Sequence, residues 1–336
     1  MKRCFLHVGF HKTATTSFQL TLQHNRKHLE QAGISLPKFR SKKQNFSANH
    51  SGQIKDLFSK EAQHLWKNNE ISTKYNDRNK NTLNDHFRSL NALLNQDKNI
   101  LISGEGISTM PEHSLERLKL ELERHGFVIE PFALVRSPYA FITSALQQTI
   151  KNGKHHPLIN LIPGHDCDSE KSFKIPSSAK SISRLNLVFG ETMNYVPFHT
   201  ATAHPGGPVL YLLENVLQLQ RSDQYQLINA NESKSNVGTR LKNFLNEKHP
   251  HADQGDLRSL FKTISLQSDQ SKFLLTEKEF NLIKTEFQKI KRDMKRKLGK
   301  AFVEEKISFS TEFTADETNL LLSQLSQKLY GLAIKS

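Results

Sequence analysis

The chain is poor in cysteine, tryptophan and methionine, and it lacks a long apolar run. Its 336 residues include two cysteines, one tryptophan and four methionines. Cys4 and Cys167 cannot form a disulfide framework, and no zinc-type spacing occurs. No apolar run approaches the ~20 residues of a membrane helix, and the short run after Met1 lacks the cleavage site of a signal peptide. We therefore expect no metal, no membrane span and a location in a reducing cytosol.

The sequence has, instead, a large excess of positive charge. Lysine and arginine number 47 against 33 aspartates and glutamates, which gives a formal net charge of +14. Such an excess attracts polyanions, although a solvated basic surface without a specific partner explains it equally well. No nucleic-acid-binding motif and no interleaving of aromatic and basic residues occurs, so we do not expect nucleic acid as a partner.

Short apolar runs alternate with helical patterns along the chain. Residues 3–9, 99–103 and 127–135 are predicted strands, and a single helix is predicted over 15–31. Further on, Thr276 and Glu279 form the pattern of a capping box before a long helix. The alternation predicts an α/β fold in which helices flank a central, mainly parallel sheet in three layers. In such sheets, ligands bind at the carboxyl ends of the strands.

The first predicted strand runs directly into a loop of small and hydroxyl residues, and a helix follows. Gly9–Ser17 reads G-F-H-K-T-A-T-T-S. Such a loop binds anions because backbone N–H groups and the helix N-terminus point at the ligand. Lys12 would neutralise charge that develops on a leaving phosphate. The spacing G-x-x-x-x-G-K-[ST] is absent, which argues against an ATP or GTP hydrolase; the alternative is a helix cap with an exposed lysine.

The string His11–Ser17 resembles the 5′-phosphosulfate loop of sulfotransferases that use 3′-phosphoadenosine 5′-phosphosulfate (PAPS), commonly K-[ST]-G-T-[TS]. The longer string from His7 resembles the bacterial and carbohydrate-type branch of that family. Ala14 stands where the family usually has glycine, and alanine fits only if the backbone needs no positive φ there. The resemblance implies that these residues contact the donor: Lys12, Thr13, Ala14, Thr15, Thr16 and Ser17.

A second motif resembles the family's clamp for the 3′-phosphate of PAPS. Arg136 ends a predicted strand, and Ser144 follows eight residues later on a predicted helix. An arginine can form two parallel hydrogen bonds to a phosphate, although a structural ion pair is the alternative. The alternative interpretation of Ser144 is a small residue that packs on the sheet. The polar stretch 231–236 resembles a late loop of the family that contacts the same phosphate, and Ser233 would be the contacting residue. An ordinary polar loop is the alternative.

Two residues are candidates for the base that removes the acceptor's proton. Related enzymes use a glutamate or a histidine. Glu105 follows a predicted strand between two glycines, which we expect to let substrate come close; the alternative is an exposed turn residue. His11 neighbours Lys12 and titrates in the right range, or it orients the loop instead. Lys12 is the candidate catalytic cation, and no metal is required because a sulfuryl group carries less charge than a phosphoryl group.

Together these motifs predict a cytoplasmic, bacterial sulfotransferase that sulfates a hydroxyl group of a sugar or glycan. The runner-up is a small-molecule kinase with an atypical P-loop that uses ATP and magnesium, and a basic nucleic-acid-binding P-loop module comes third. We interpret residues 1–336 as a single, P-loop-like domain. Its parts are a nucleotide-binding core at 3–31 and 99–240, basic and polar insertions for the acceptor at about 38–98 and 151–176, and a helical C-terminal part at about 237–336.

Overall fold

The chain divides into two compact units. The computed structural model describes residues 1–40, 46–62, 77–161, 173–220, 222–230, 235–248, 272–304 and 306–311, with isolated positions between 319 and 327. The first unit comprises Met1–Ser137, Ser178–Asn231 and Met294–Val303, and the second comprises Pro138–Ser177, Glu232–Asp293 and Glu304–Ser336. The single-domain interpretation stays a prediction.

The first unit is built on a five-stranded sheet in which all strands are parallel, with the order β2-β3-β1-β4-β5. The strands are β1 (Lys2–Gly9), β2 (Ile34–Ser35), β3 (Asn99–Ser103), β4 (Phe127–Val135) and β5 (Asn194–Pro197). In register, Leu6 of β1 lies between Ile102 of β3 and Pro131 of β4. This sheet confirms the predicted α/β class and the three predicted strands.

The strand order places a topological switch point beside β1. From β1 the chain continues to β2 at one edge of the sheet, whereas from β4 it continues to β5 at the opposite edge. The two connections thus diverge between β1 and β4, which is where a doubly wound sheet has its crevice. In open α/β sheets, ligands bind in this crevice.

Helices flank the sheet, in agreement with the predicted layers. The helices of both units, in chain order, are α1 (Thr15–His24), α2 (Arg26–Gln31), α3 (Ser51–Leu57), α4 (Asp77–Leu94), α5 (Glu112–Arg124), α6 (Pro138–Lys151), α7 (Ala179–Phe189), α8 (Phe198–Thr202), α9 (Gly207–Tyr211), α10 (Asn236–Lys248) and α11 (Glu277–Leu298); α6 and α10 belong to the second unit. On one side of β1, Phe5 packs in a core cluster with Phe18 and Phe132. The alternate residues of the strand, Cys4, Leu6 and Val8, are buried as well. A strand that is apolar on both sides must be covered on both.

One local prediction is wrong, and one strand was not predicted. The single helix predicted over 15–31 is two helices, because Asn25 interrupts it. The Asn25 side-chain amide donates to the carbonyl of Thr21 at 2.8 Å and to that of Gln226 at 2.9 Å, so it competes with the backbone for helical partners. Strand β2 escapes prediction because two residues carry no periodic pattern. None of the helices in the described part of the chain combines the length and apolar character that crossing a bilayer demands.

The second unit contains α6 and α10 and is held by a buried ion pair. Arg240 has no exposed surface, and its guanidinium donates two hydrogen bonds to the Glu279 carboxylate, at 2.6 and 2.9 Å. The predicted capping box is confirmed: Thr276 N–H donates to Glu279 Oε2 at 2.8 Å, and Glu279 N–H donates to Thr276 Oγ1 at 3.1 Å. Glu279 therefore both caps a helix and neutralises the buried arginine.

Candidate anion-binding site

The loop between β1 and α1 has a backbone conformation suited to anions. This β1–α1 loop comprises residues 10–14, and both Lys12 (φ 69°) and Ala14 (φ 58°, ψ 20°) lie in the left-handed region. Left-handed residues turn successive backbone N–H groups toward a common concavity, which favours anions. Helix α1 starts at the next residue, Thr15, and Ala14 caps it without a side-chain hydrogen bond. The cap residue thus leaves the N–H groups of the first turn to another acceptor.

Ala14 does not meet the condition that the sequence analysis set for it. Alanine fits without strain only if the backbone needs no positive φ, but the structure has φ 58° there. A left-handed conformation costs a residue with a Cβ about 1–2 kcal/mol relative to the right-handed one. The loop therefore keeps the shape that glycine would adopt without strain.

Two of the predicted hydroxyl ligands hold the loop in place. Thr13 is buried, and its hydroxyl donates to the carbonyl of Phe10 at 2.6 Å. Ser17 accepts a hydrogen bond from the N–H of Ala230 at 3.0 Å and donates to the Ala230 carbonyl at 3.2 Å. Thr15 is buried and Thr16 is exposed. Direct contact of these four residues with a phosphate stays a prediction.

One face of α1 binds an extended segment, residues 226–230. Three side chains spaced four residues apart, two on α1 and one on the residue that caps it, accept hydrogen bonds from the N–H groups of alternate residues of the segment, at 2.9–3.0 Å: Asn25 from Gln226, Thr21 from Ile228 and Ser17 from Ala230. A helix presents every fourth residue on one face, whereas an extended chain alternates every second, so the two periods match here. Ser233 lies outside the described residues.

The structure brings the two candidate bases together. Glu105 begins a short 3₁₀ helix (Glu105–Thr109) directly after β3, and its side chain is 16% exposed. Its Oε2 accepts a hydrogen bond from Gln19 Nε2 at 2.7 Å, and its Oε1 accepts one from Asn49 Nδ2 at 3.0 Å. His11 Nδ1 lies 4.0 Å from Glu105 Oε1. Glu105 is thus part of a polar cluster and not an exposed turn residue.

The two glycines beside Glu105 serve packing instead of substrate approach, which corrects the prediction. A Cβ at Gly104 would lie 2.8 Å from the backbone nitrogen of Ser51, and one at Gly106 would lie 2.9 Å from the Ser51 Cβ. Gly106 N–H donates to Ser51 Oγ at 2.9 Å, and Ser51 N–H donates to Asn49 Oδ1 at 2.9 Å. The glycines therefore admit the start of α3, which carries Asn49 to Glu105.

Burial and two nearby lysines favour the neutral form of His11. Partial burial is the main cause that lowers the pKa of His11 below the ordinary value of 6.5. Attraction to Glu105 opposes this shift, and repulsion from Lys55 and Lys12 adds to it. Because a neutral imidazole can accept a proton, the ring has the charge state that a base needs near pH 7.

A buried polar chain lies behind the site, and sequence reasoning missed it. His7 Nδ1 lies 2.7 Å from Ser103 Oγ, and Ser103 N–H donates to His50 Nδ1 at 3.1 Å. His7 also packs against the rings of Phe18 and Phe132. Burial lowers the pKa of His7 to about 4 and that of His50 to about 3, so both rings are neutral.

Arg136 follows the last residue of β4, the strand that pairs with β1. Its guanidinium lies over the ring of Phe198, 4.3 Å from the centroid, at the start of α8. This contact orients the guanidinium plane. Ser144 is half-buried on α6 of the second unit. Its action together with Arg136 on one phosphate stays a prediction.

Comparison of the chain with protein-family models, with curated proteins and with solved structures finds no match. Among the described residues, no three or more histidine, cysteine, aspartate or glutamate side chains are grouped so that they could hold a metal ion. The fold and the site define the class: an α/β protein whose central strand ends in a loop with two left-handed residues, one of them a lysine, with a carboxylate–histidine pair at the loop and an arginine after the neighbouring strand.

Proposed function

We propose that the chain is a sulfotransferase that transfers a sulfuryl group from PAPS to a hydroxyl group of a sugar or glycan. One hydrogen bond carries the proposal. The N–H of Phe10 donates to the carbonyl of Leu134 at 3.1 Å, which joins the β1–α1 loop to the end of β4, two residues before Arg136. The motif that resembles a 5′-phosphosulfate loop and the arginine of the 3′-phosphate motif thus share one edge of the sheet, at its switch point.

The residues divide the work of binding the donor. The backbone N–H groups around Lys12 and Ala14 and the start of α1 would hold the 5′-phosphate. Arg136, with its guanidinium over Phe198, would hold the 3′-phosphate through two hydrogen bonds. Because a 3′-phosphate distinguishes PAPS from ATP, Arg136 is the residue on which donor selectivity depends.

The reaction needs a cation, a base and alignment. The sulfur–oxygen bond to the donor phosphate breaks and its electron pair stays on the phosphate, where Lys12 neutralises the charge. The acceptor oxygen forms the new bond to sulfur, and its proton passes to a base of the Glu105–His11 pair. Holding acceptor and donor in line is worth several kcal/mol. The basic side chain of Lys55, near His11, suits an acceptor that carries negative charge.

Ligand-induced stabilisation tests the proposal. The thermal unfolding midpoint should rise with adenosine 3′,5′-bisphosphate, but less with 5′-AMP or ATP-magnesium. A ligand at a hundred times its Kd stabilises the folded state by about 2.7 kcal/mol. Lys12→Ala should weaken the effect, and Arg136→Ala should abolish the preference for the 3′-phosphate. Arg124→Ala, an arginine with 61% exposure on α5, is the matched control and should respond like the wild type.

The opposite ranking of ligands would overturn the proposal. Equal or greater stabilisation by ATP-magnesium would favour a kinase, since phosphoryl transfer from ATP depends on the metal. The same stabilisation of Arg136→Ala and wild type by the bisphosphate would remove Arg136 from the site.

A further inference from the structure

The two candidate bases differ in how firmly they are held. Glu105 is 16% exposed, and each of its carboxylate oxygens accepts a hydrogen bond from a side-chain amide. The donors come from separate elements: Gln19 from α1 and Asn49 from the segment before α3. His11, by contrast, is 51% exposed. The carboxylate is thus anchored from two sides, whereas the imidazole is the partner that solvent and substrate can reach.

The nitrogen of His11 that faces the carboxylate is Nδ1, at 4.0 Å from Glu105 Oε1. An imidazole nitrogen that faces a carboxylate carries the proton, and the other nitrogen of the neutral ring then has a lone pair. The distance exceeds that of a hydrogen bond, but such contacts in an enzyme without its substrate are often long and tighten in the complex. The carboxylate, Nδ1 and Nε2 therefore have the arrangement of a carboxylate–histidine dyad.

We infer that His11 Nε2 is the base and that Glu105, held by Gln19 and Asn49, is a positioning residue that orients the ring and stabilises its protonated form. The inference rests on the proposed sulfuryl transfer. The hydroxyl proton of the acceptor moves to Nε2, its oxygen bonds to sulfur, and the donor phosphate leaves with the electron pair of the broken bond. The imidazolium then returns its proton to solvent.

The surrounding charges agree with these roles. Three charged groups influence His11: Glu105 after β3, Lys12 in the β1–α1 loop and Lys55 on α3. Burial and the two lysines lower the pKa of His11, whereas Glu105 raises it. The ring is therefore neutral at rest, and its protonation costs less than it would without Glu105.

Histidine titration tests the dyad without any nucleotide. In the full-length protein labelled with ¹⁵N-histidine, the His11 signals are identified by their loss in His11→Gln. Glu105→Gln should lower the pKa of His11, because the attractive charge is gone, and Asn49→Ala should lower it less. Glu121→Gln is the matched control. Glu121 Oε1, on α5, lies 3.5 Å from Nδ1 of His125, so the loss of this carboxylate should leave the pKa of His11 unchanged. An unchanged His11 titration in Glu105→Gln would refute the pairing.

The pH dependence of the reaction separates the two roles. The probe is the release of adenosine 3′,5′-bisphosphate from PAPS with water as the acceptor. His11→Gln should lose ~10²–10⁴-fold in rate together with the acidic limb of the profile, the usual range for a general base. Glu105→Gln should lose less and move that limb to lower pH. A limb that persists in His11→Gln and disappears in Glu105→Gln would make Glu105 the base.

Failure of the inference is distinguishable from failure of the proposed function. If the wild type neither binds the bisphosphate nor cleaves PAPS, the sulfotransferase assignment is wrong, and the titration still decides whether Glu105 controls His11. If the wild type binds and cleaves PAPS but the titration and the pH profile do not change in Glu105→Gln, the function stands and the dyad is wrong.

Discussion

Replacing Ala14 with glycine tests the conformation on which the anion site depends. Ala14 has φ 58° and ψ 20°, and it lies between Lys12, with φ 69°, and the first residue of α1. If the loop has this shape in solution, Ala14→Gly removes a strained Cβ from the folded state. The substitution should therefore stabilise the protein, although alanine to glycine usually does the opposite.

Two opposing terms set the size of the effect. Relief of the left-handed strain is worth about 1–2 kcal/mol. The greater flexibility of glycine in the unfolded chain costs about 0.4–1 kcal/mol. The net expectation is a gain of roughly 0.5–1 kcal/mol in the free energy of unfolding, and a shift of about 2–4 °C per kcal/mol in a domain of this size is readily measured.

Urea unfolding of two variants provides the assay and its matched control. Ala92 is an exposed residue inside α4 with the same side chain but a right-handed conformation, so Ala92→Gly should lose about 1 kcal/mol. The two identical substitutions should thus have opposite signs. Destabilisation of Ala14→Gly to the same extent as Ala92→Gly would refute a left-handed Ala14, and with it the concave arrangement of N–H groups in the β1–α1 loop.

Two further predictions concern buried ionisable groups. In the folded state the pKa values of His7 and His50 are about 4 and about 3, so between pH 6.5 and 4 the two rings bind protons mainly in the unfolded chain. The stability that the neutral rings contribute is therefore fully present above pH 6.5 and is lost as the pH decreases. The two histidines together should lower the free energy of unfolding, measured with urea, by about 4 kcal/mol at pH 5 relative to pH 7.5. Equal free energies of unfolding at both pH values would contradict this prediction. Arg240→Met leaves Glu279 charged and buried, so it should cost about 3–5 kcal/mol; a loss below ~1 kcal/mol in urea unfolding would show that the pair is not buried in solution.

Local patterns account for what could be predicted from the sequence. The three apolar runs of the sheet centre are long enough to be recognised, and the Thr276–Glu279 capping box closes within four residues. The β1–α1 loop and Arg136 also follow directly after strands, so their place at the carboxyl edge follows from a parallel sheet alone. Predictions of this kind need no knowledge of distant contacts.

The rest of the site depends on contacts between distant parts of the chain. Asn49 donates to Glu105, 56 residues away, and nothing in its own neighbourhood distinguishes it from the other polar residues of that segment. The glycines at 104 and 106 suggested space for substrate, but a glycine records only that something approaches closely. Here the approaching group is Ser51 of the same chain.

The hydroxyl residues of the β1–α1 loop and of the first turn of α1 show why a motif does not assign roles to its members. Thr13 closes the loop on the carbonyl of Phe10, and Ser17 binds both backbone groups of Ala230. Turning either hydroxyl toward a ligand would cost about 1–3 kcal/mol for each buried backbone group left unpaired. In the proposed donor complex, the anion would therefore be bound by the backbone N–H groups, by Lys12 and by the exposed Thr16. These hydroxyl groups thus maintain the shape of the loop and of the start of α1. A substitution at position 13 or 17 would therefore affect binding by changing the local structure.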